Sequence, residues 1–499
     1  MSAEILSWTT RPEASIEGLR HRLEALGATL EAGSCRRVCW LDSFDDRLFG
    51  IGEAAALADG RLERRGLDGT VLASVPAPGP APWRVPALPP ELRTAWMGVL
   101  GQRALLPRVE TEHQLLTGSM RIKGKHAGYL VVELGLAWRP GTVSRVALPA
   151  KVRFEPSKKL KRVRKALALL EAALPARDEA AEGPVALART TIGATAPSRL
   201  GVPLHREARA DASIKAILRQ VFSALRANEA GLLAGLDLAF NEDFRAAVQR
   251  TESVLTHLSR GVPTPIIDRF GPEFGWLAAV TEPLRDLDGC LQALPGYSAR
   301  RSQPALAPLA AQLSARQAEA HADVITALTS PRYRALVDGW QAWLSGPVPD
   351  PLAPAWADHS VLEVARRQVL DTYTTLLAEG AVVEADALAA CIGPLWVRSR
   401  QLRALLEFFR TLFPPTKINQ LISALKLLQQ HLDAARTLAA HQQVLGSLAP
   451  TGIKHTDKAV ARLNQQLASR QAEACSACTR AWAQFDAQSV RATFAELFA

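Results

Sequence analysis

The chain has 499 residues, 48% hydrophobic and 22% charged, which is too long for one ordinary core and too apolar for a disordered protein. No run approaches the roughly 18 apolar residues a bilayer span requires, and no basic-then-apolar leader opens the sequence, so neither a membrane nor a secreted protein is expected and the compartment expected is the cytoplasm. Lys and Arg number 59 against 49 Asp and Glu, a net charge of +10 that biases the chain toward polyanions or acidic partners.

In chain order, the first 170 or so residues read as short alternating segments punctuated by Gly, Asp and Pro. In residues 129–134, Leu130, Val132 and Leu134 share one face while Tyr129, Val131 and Glu133 share the other, which predicts a half-buried strand. Residues 76–90 are dense in Pro and Ala; lacking ladder donors, they predict an extended surface loop. A basic run follows, comprising Lys158, Lys159, Lys161, Arg162, Arg164 and Lys165, and it leads into the apolar Leu167, Leu169 and Leu170. Such a run can dock a polyanion or simply be solvated.

The pattern dissolves between about 172 and 210, giving a first domain over 1–175, a linker over 176–210 and a second domain over 211–499. The second domain is read as helical. Ile214, Ile217, Leu218, Val221 and Leu225 fall at helical spacing, as do Phe244, Val248, Thr251, Leu255 and Leu258. Leu395, Leu402, Leu405, Phe409 and Leu412 form a further stripe, which Pro414 and Pro415 terminate; loops are expected near 295–308 and 346–354. Several such helices joined by short loops make a bundle. Trp276, Trp340, Trp343 and Trp482 are expected as core anchors.

At this point the sequence resembles a two-domain family in which a CYTH-type triphosphate-tunnel domain precedes a CHAD domain, the conserved-histidine α-helical domain. The amino-terminal resemblance rests on Arg37, Trp40, Asp42, Ser43, Asp45, Arg47 and Leu48, similar to that family's strand-and-turn segment. The carboxyl-terminal one rests on Phe274, Gly275, Trp276, Pro283, Leu284, Arg285, Asp286 and Asp288, then on Leu402, Arg403, Glu407, Phe408 and Phe409, then on Leu425, Lys426 and Gln429. It implies an α+β protein: an antiparallel barrel or tunnel-like domain followed by an all-α bundle, in a bacterial-type cytoplasmic protein.

The resemblance further implies binding of inorganic polyphosphate by two related helices, each carrying a His-x-x-Arg-x-x-x-basic-x-x-Arg stripe. Offsets of three, seven and ten place such side chains on one helix face over about 15 Å, so successive cations meet successive phosphates. Here the stripes read Glu242, Arg245, Gln249, Glu252 and Gly393, Trp396, Arg400, Arg403, with no histidine in either. The expected phosphate contacts are therefore Arg245, Arg250, Arg398, Arg400 and Arg403, with Lys158, Lys159, Lys161 and Arg162 as a second patch. A solvated face laced by ion pairs, with Glu407 bonded to Arg403 or Arg410, is the alternative. Asp286 and Asp288 either orient Arg245 or Arg250 across the bundle or serve as caps.

Catalysis in the tunnel-like half would need a Glu-x-Glu-x-Lys strand whose paired carboxylates hold a divalent cation. The corresponding stretch is Glu4, Ile5, Leu6, Ser7 and Trp8, so an enzyme is not expected and neither is a cofactor or metal. Glu133, Arg61, Arg65, Arg121, Lys123 and Arg139 remain candidates to line the interior. The six cysteines are too sparse for a disulfide framework, and Cys475 and Cys478 alone have CxxC spacing. No phosphate-cradling glycine loop, serine-nucleophile elbow or RNA-module signature occurs, so nucleic acid is not an expected partner. The function expected is non-catalytic polyphosphate binding, in the cytoplasm or at polyphosphate granules. A scaffold for a protein partner is the second reading, and a metal-dependent triphosphate hydrolase the third.

Overall fold

The computed structural model describes residues 6–12, 16–174, 184–191, 201–297, 306–352, 354–381, 388–448, 450 and 453–498. The chain divides into two compact units, residues 1–197 and 198–499. Glu4 and Ile5 lie outside the described residues.

Among the described residues the first unit has nine strands: β1 (Leu6–Pro12), β2 (Ala28–Asp42), β3 (Glu53–Ala58), β4 (Arg61–Gly66), β5 (Val71–Pro76), β6 (Leu106–Ile122), β7 (Lys125–Trp138), β8 (Val146–Ala147) and β9 (Pro149–Pro156). Around them run α1 (Ile16–Ala25), α2 (Arg47–Gly50), α3 (Pro90–Leu100), α4 (Leu160–Ala173) and α5 (Pro184–Thr191). The sheet order is β1-β9-β7-β6-β2-β3-β4-β5, with β8 paired to β7, and the ladders are antiparallel. An α+β chain with an antiparallel sheet first and helices second is what the sequence predicts. The barrel is corrected in one respect: β1 and β5 end the order unpaired with each other, so the sheet is open among the described residues.

Alternation in β7 decides which face is covered. Leu130, Val132 and Leu134 are buried with Val152 and Phe154 of β9, Trp8 of β1, Leu19 and Leu23 of α1, and Val163, Ala166 and Leu170 of α4. The proline-rich segment is only partly a surface loop. Trp83 and Leu88 are buried in the core beneath α3, because their apolar area outweighs the missing ladder bonds, and Trp83 still bridges to Leu105. Residues 184–191, inside the stretch read as a linker, form α5, whose Val185 and Ala188 are buried against Val38, Trp40 and Val109.

The second unit is all-α: α6 (Ala210–Leu233), α7 (Leu238–His257), α8 (Thr264–Tyr297), α9 (Ala307–Thr329), α10 (Pro331–Ser345), α11 (Val361–Ala381), α12 (Leu388–Phe408), α13 (Pro415–Gly446), α14 (Lys454–Phe485) and α15 (Gln488–Phe498). The apolar stripes predicted for α6, α7 and α12 are its buried faces. Asp237 caps α7 by accepting from Phe240 N. The series repeats. α7 and α12 each end in a single 3-10 turn (Ser259–Gly261 and Arg410–Leu412) followed by proline and a helix of 34 or 32 residues, α8 or α13. Of the tryptophans expected as anchors, Trp340 is fully buried, packed edge-on against Phe270 and Phe274, while Trp276, Trp343 and Trp482 are half-buried. Among the described residues no helix is long and apolar enough to cross a membrane.

Candidate functional site

The two stripes lie side by side. Arg400 Nη2 donates to Gln249 Oε1 at 2.8 Å, directly joining α12 to α7. One turn along, Arg250 of α7 and Arg403 of α12 share Glu407, at 3.5 and 3.4 Å, and Arg403 also donates to the buried Gln429 of α13. Glu407 therefore does pair with Arg403, as helical spacing predicts, but its second partner is Arg250 rather than Arg410.

Toward the other end, Arg245 is buried and donates from Nη1 to Ala278 O and Thr281 Oγ1 of α8, each at 2.8 Å, with Glu282 at 3.9 Å. Glu282 also meets Arg436 of α13 at 3.2 Å. Trp396 of α12 donates its indole N–H to Asp433 and lies beneath two guanidiniums, Arg436 at 3.7 Å and Arg400 at 4.8 Å from the ring centre. Asp286 pairs with its neighbour Arg285 and acts on Arg245 only through space, Asp288 accepts from Gln317 at 2.9 Å, and Glu282 is the carboxylate within ion-pair distance of Arg245.

Arg245, Arg250, Arg400, Arg403, Arg285 and Arg436 thus form one field, drawn from α7, α12, α8 and α13. Burial first, and then Arg285 and Arg436, pull Arg245 down to about 10 despite Glu282 and Asp286. Arg400 is also pulled down to about 10, by burial and by Arg403, Arg250 and Arg285, against Asp433. Burial likewise lowers Arg250 and Arg436, and each has arginine neighbours adding to the effect. Guanidiniums crowded and desolvated in this way gain from a polyanion that brings compensating charge. Beside them, α8, α9 and α13 enclose a cavity of about 630 Å³ lined by Arg285, Arg316 and Arg436 together with Glu282 and Asp286.

The remaining expected residues fall elsewhere. Arg398 is held by Glu379 of α11 at 3.1 Å and Gln401 at 3.0 Å, outside this field. Lys158 and Lys159 precede α4, and Lys161 and Arg162 lie on its first turn, in the other unit. Arg285 entered the sequence reading only as part of a motif, and Arg316 and Arg436 not at all. A signal for Arg436 exists: the offset that relates Gln249 to Arg400 and Glu252 to Arg403 also relates Arg285 to Arg436 and Glu282 to Asp433.

In the sheet unit, Asp42 accepts from the N–H groups of Ser43, Leu48 and Phe49 at 2.7 to 2.9 Å, and Arg189 of α5 braces Asp42 and Asp46. The segment that carried the amino-terminal resemblance therefore fixes a turn. Glu133 faces His113 of β6 at 3.0 Å and Arg153 of β9 at 3.9 Å. Its carboxyl is held below the usual range, first by the His113 hydrogen bond and then by Arg153 and Lys151. Arg65 is buried against Glu63 and Trp40, Arg61 bonds Ser74, and Arg121 and Lys123 are exposed at the β6–β7 hairpin; Arg139, with Thr142 N bonded to its carbonyl, closes the turn after β7. Among the described residues no group of His, Cys, Asp and Glu is arranged to hold a metal ion. Burial raises the thiol pKa of both Cys475 and Cys478 on α14, which suits neither a thiolate ligand nor a redox nucleophile.

A duplicated helical bundle with an arginine-lined seam between its halves is the class of protein this unit defines. The chain matches the CHAD domain family over residues 216–392 and again over 392–499, more than half its length, and it belongs to that family. Among solved structures it is similar to the CHAD domain from the plant Ricinus communis, at 24% identity and a TM-score of 0.49 over 60% of this chain and 97% of that one. It is also similar to PptA from Streptomyces chartreusis, at 17% identity and a TM-score of 0.45 over 55% of this chain and 99% of that one. No curated protein matches the chain.

Proposed function

We propose that the helical domain binds inorganic polyphosphate without chemically altering it, and that it acts in the cytoplasm where such chains accumulate, including polyphosphate granules. The observation that carries this reading is the convergence of Arg245, Arg250, Arg285, Arg400, Arg403 and Arg436 from four helices, where burial and arginine neighbours lower Arg245, Arg250, Arg400 and Arg436 even though Glu252, Glu282, Asp286, Glu407 and Asp433 stand among them. Membership of the CHAD family supports it. Phosphate oxygens would replace Gln249 at Arg400 and supplement Glu407 at Arg403 and Arg250, as bidentate guanidinium contacts.

For the sheet unit we infer a degenerate CYTH-like, triphosphate-tunnel-type domain that performs no metal-dependent chemistry. Glu133 is opposed by His113 and Arg153, where a metal site would need a second carboxylate. Magnesium-dependent phosphate release from tripolyphosphate would restore the hydrolase reading.

Titration of the full chain with long-chain polyphosphate, across a salt series, tests the binding. The expected result is salt-sensitive affinity that falls roughly thirtyfold in Arg400→Ala, from loss of about 2 kcal/mol of charged hydrogen bonding, and further in Arg400→Ala/Arg403→Ala. Absence of binding at low salt would favour the second reading, a scaffold for a protein partner. That reading draws on Glu242 and Glu252, the carboxylates that replace cations on the first stripe.

A further inference from the structure

The first turns of α4 present a surface with a different chemistry from the arginine field. Lys158, Lys159, Lys161, Arg164 and Lys165 are exposed, and Arg162 is half-buried. Among the described residues no carboxylate lies within ion-pair distance of any of them, whereas the arginines of the helical seam are desolvated and partly paired. The chain reaches α4 beside the β6–β7 hairpin, where Ser157 N donates to Ala127 O at 2.9 Å. Ile122 of that hairpin and Leu167 of α4 pack on the same core, which brings the exposed Arg121, Lys123 and Lys125 alongside.

In the middle of these cations stands Leu160, 72% exposed, although Val163, Ala166 and Leu170 on the opposite face of α4 are buried. The position of the charge is also unfavourable for the helix, since cations in a first turn oppose the macrodipole and Lys159 provides no side-chain cap. Charge that stabilises neither the helix nor an ion pair is charge available to a partner. A phosphate chain or a nucleic acid would gain from the lysines but nothing from Leu160. A bilayer rich in anionic headgroups gains from both, because lysines sit at the phosphate level while an apolar side chain enters the acyl boundary.

We propose that the α4 face, with the β6–β7 hairpin tip, docks peripherally on an anionic lipid surface. This site is independent of polyphosphate binding. It inserts no spanning segment, so it accords with the absence of an apolar helix of spanning length among the described residues.

Co-sedimentation of the full chain with phosphatidylcholine vesicles, with and without phosphatidylglycerol, tests it. Binding is expected only with phosphatidylglycerol and should weaken steeply with salt. Lys158→Glu/Lys159→Glu/Lys161→Glu should reduce it on the order of a hundredfold, at about fivefold per cation. Leu160→Ser, which leaves the charge unchanged, should reduce it roughly fivefold. The lysine reversals complement the α4 dipole, so lost binding would not reflect an unfolded helix. Polyphosphate affinity should remain unchanged in Leu160→Ser. Failure to bind phosphatidylglycerol vesicles at low salt overturns the proposal, as does unaltered binding in Leu160→Ser. Duplex DNA captured by the native chain and lost in the lysine variant, with vesicles never bound, would make the patch a nucleic-acid site instead.

Discussion

Glu252 occupies a stripe position where a cation would serve phosphate, and its surroundings set what it costs. Burial raises its carboxyl above the ordinary range, and Arg245 only partly offsets this. Where it is ionised it stands as an anion beside Arg245, and a bound polyanion would meet about 1 kcal/mol of repulsion there at an intermediate effective dielectric. Glu252→Gln is therefore expected to strengthen polyphosphate binding about fivefold, read by the same titration. Gln249 is not equivalent to it. Its amide oxygen accepts from Arg400, so Gln249→Arg would set two guanidiniums against each other in the free protein. Restoring the cationic row at every stripe position would thus lower the stability of the unliganded bundle, which thermal melting without polyphosphate would register. That distinction is invisible in sequence, because spacing places Gln249 on the correct face without revealing that Arg400 points at it.

The helices and strands themselves were legible wherever one local period decides burial. Leu130, Val132 and Leu134 lie in the core as alternation requires, and the α7 and α12 stripes occupy the faces their spacing assigns. What alternation and spacing could not give was the partner across a helix seam. Asp286 makes its ion pair with the adjacent Arg285, while Glu282, one turn earlier, crosses to Arg245 and Arg436. The α8–α13 seam shows the same non-local logic. His441 of α13 is buried and shares a 2.7 Å hydrogen bond with Tyr297 of α8, near Cys290, Asp286 and Arg285, with Arg470 over the Tyr297 ring. Burial, with Arg285 adding to it against Asp286, holds the imidazole below its ordinary value. The unfolded chain then takes up a proton near pH 6.5 while the folded one resists, so stability is full above that pH and declines as pH falls through it toward the folded value. Denaturant melts of the full chain between pH 7 and 5 should show this loss, and His441→Gln should flatten it; an equally steep decline in that variant would assign the loss to other groups.

Duplication accounts for why the arginines converge at all. Gln249 and Arg400 stand at the common offset that also relates Glu252 to Arg403, and they touch each other across the α7–α12 seam. Arg285 and Arg436, related by the same offset, both lower Arg245, and Arg285 also lowers Arg400. A single half presents only one edge of the field, so the two halves have to fold together for phosphate to be held. Every side chain of the field belongs to the unit comprising residues 198–499, and that unit buries its own core, including Phe244, Leu277, Leu402, Leu425 and Phe494. Residues 198–499 expressed alone are accordingly expected to melt as one cooperative transition and to bind long-chain polyphosphate within about twofold of the full chain, a tolerance near the thermal energy. Residues 198–391 alone, which lack Arg400, Arg403 and Arg436, should bind at least tenfold more weakly. A cooperative, folded 198–499 fragment that binds no polyphosphate while the full chain does would move the site to the sheet unit.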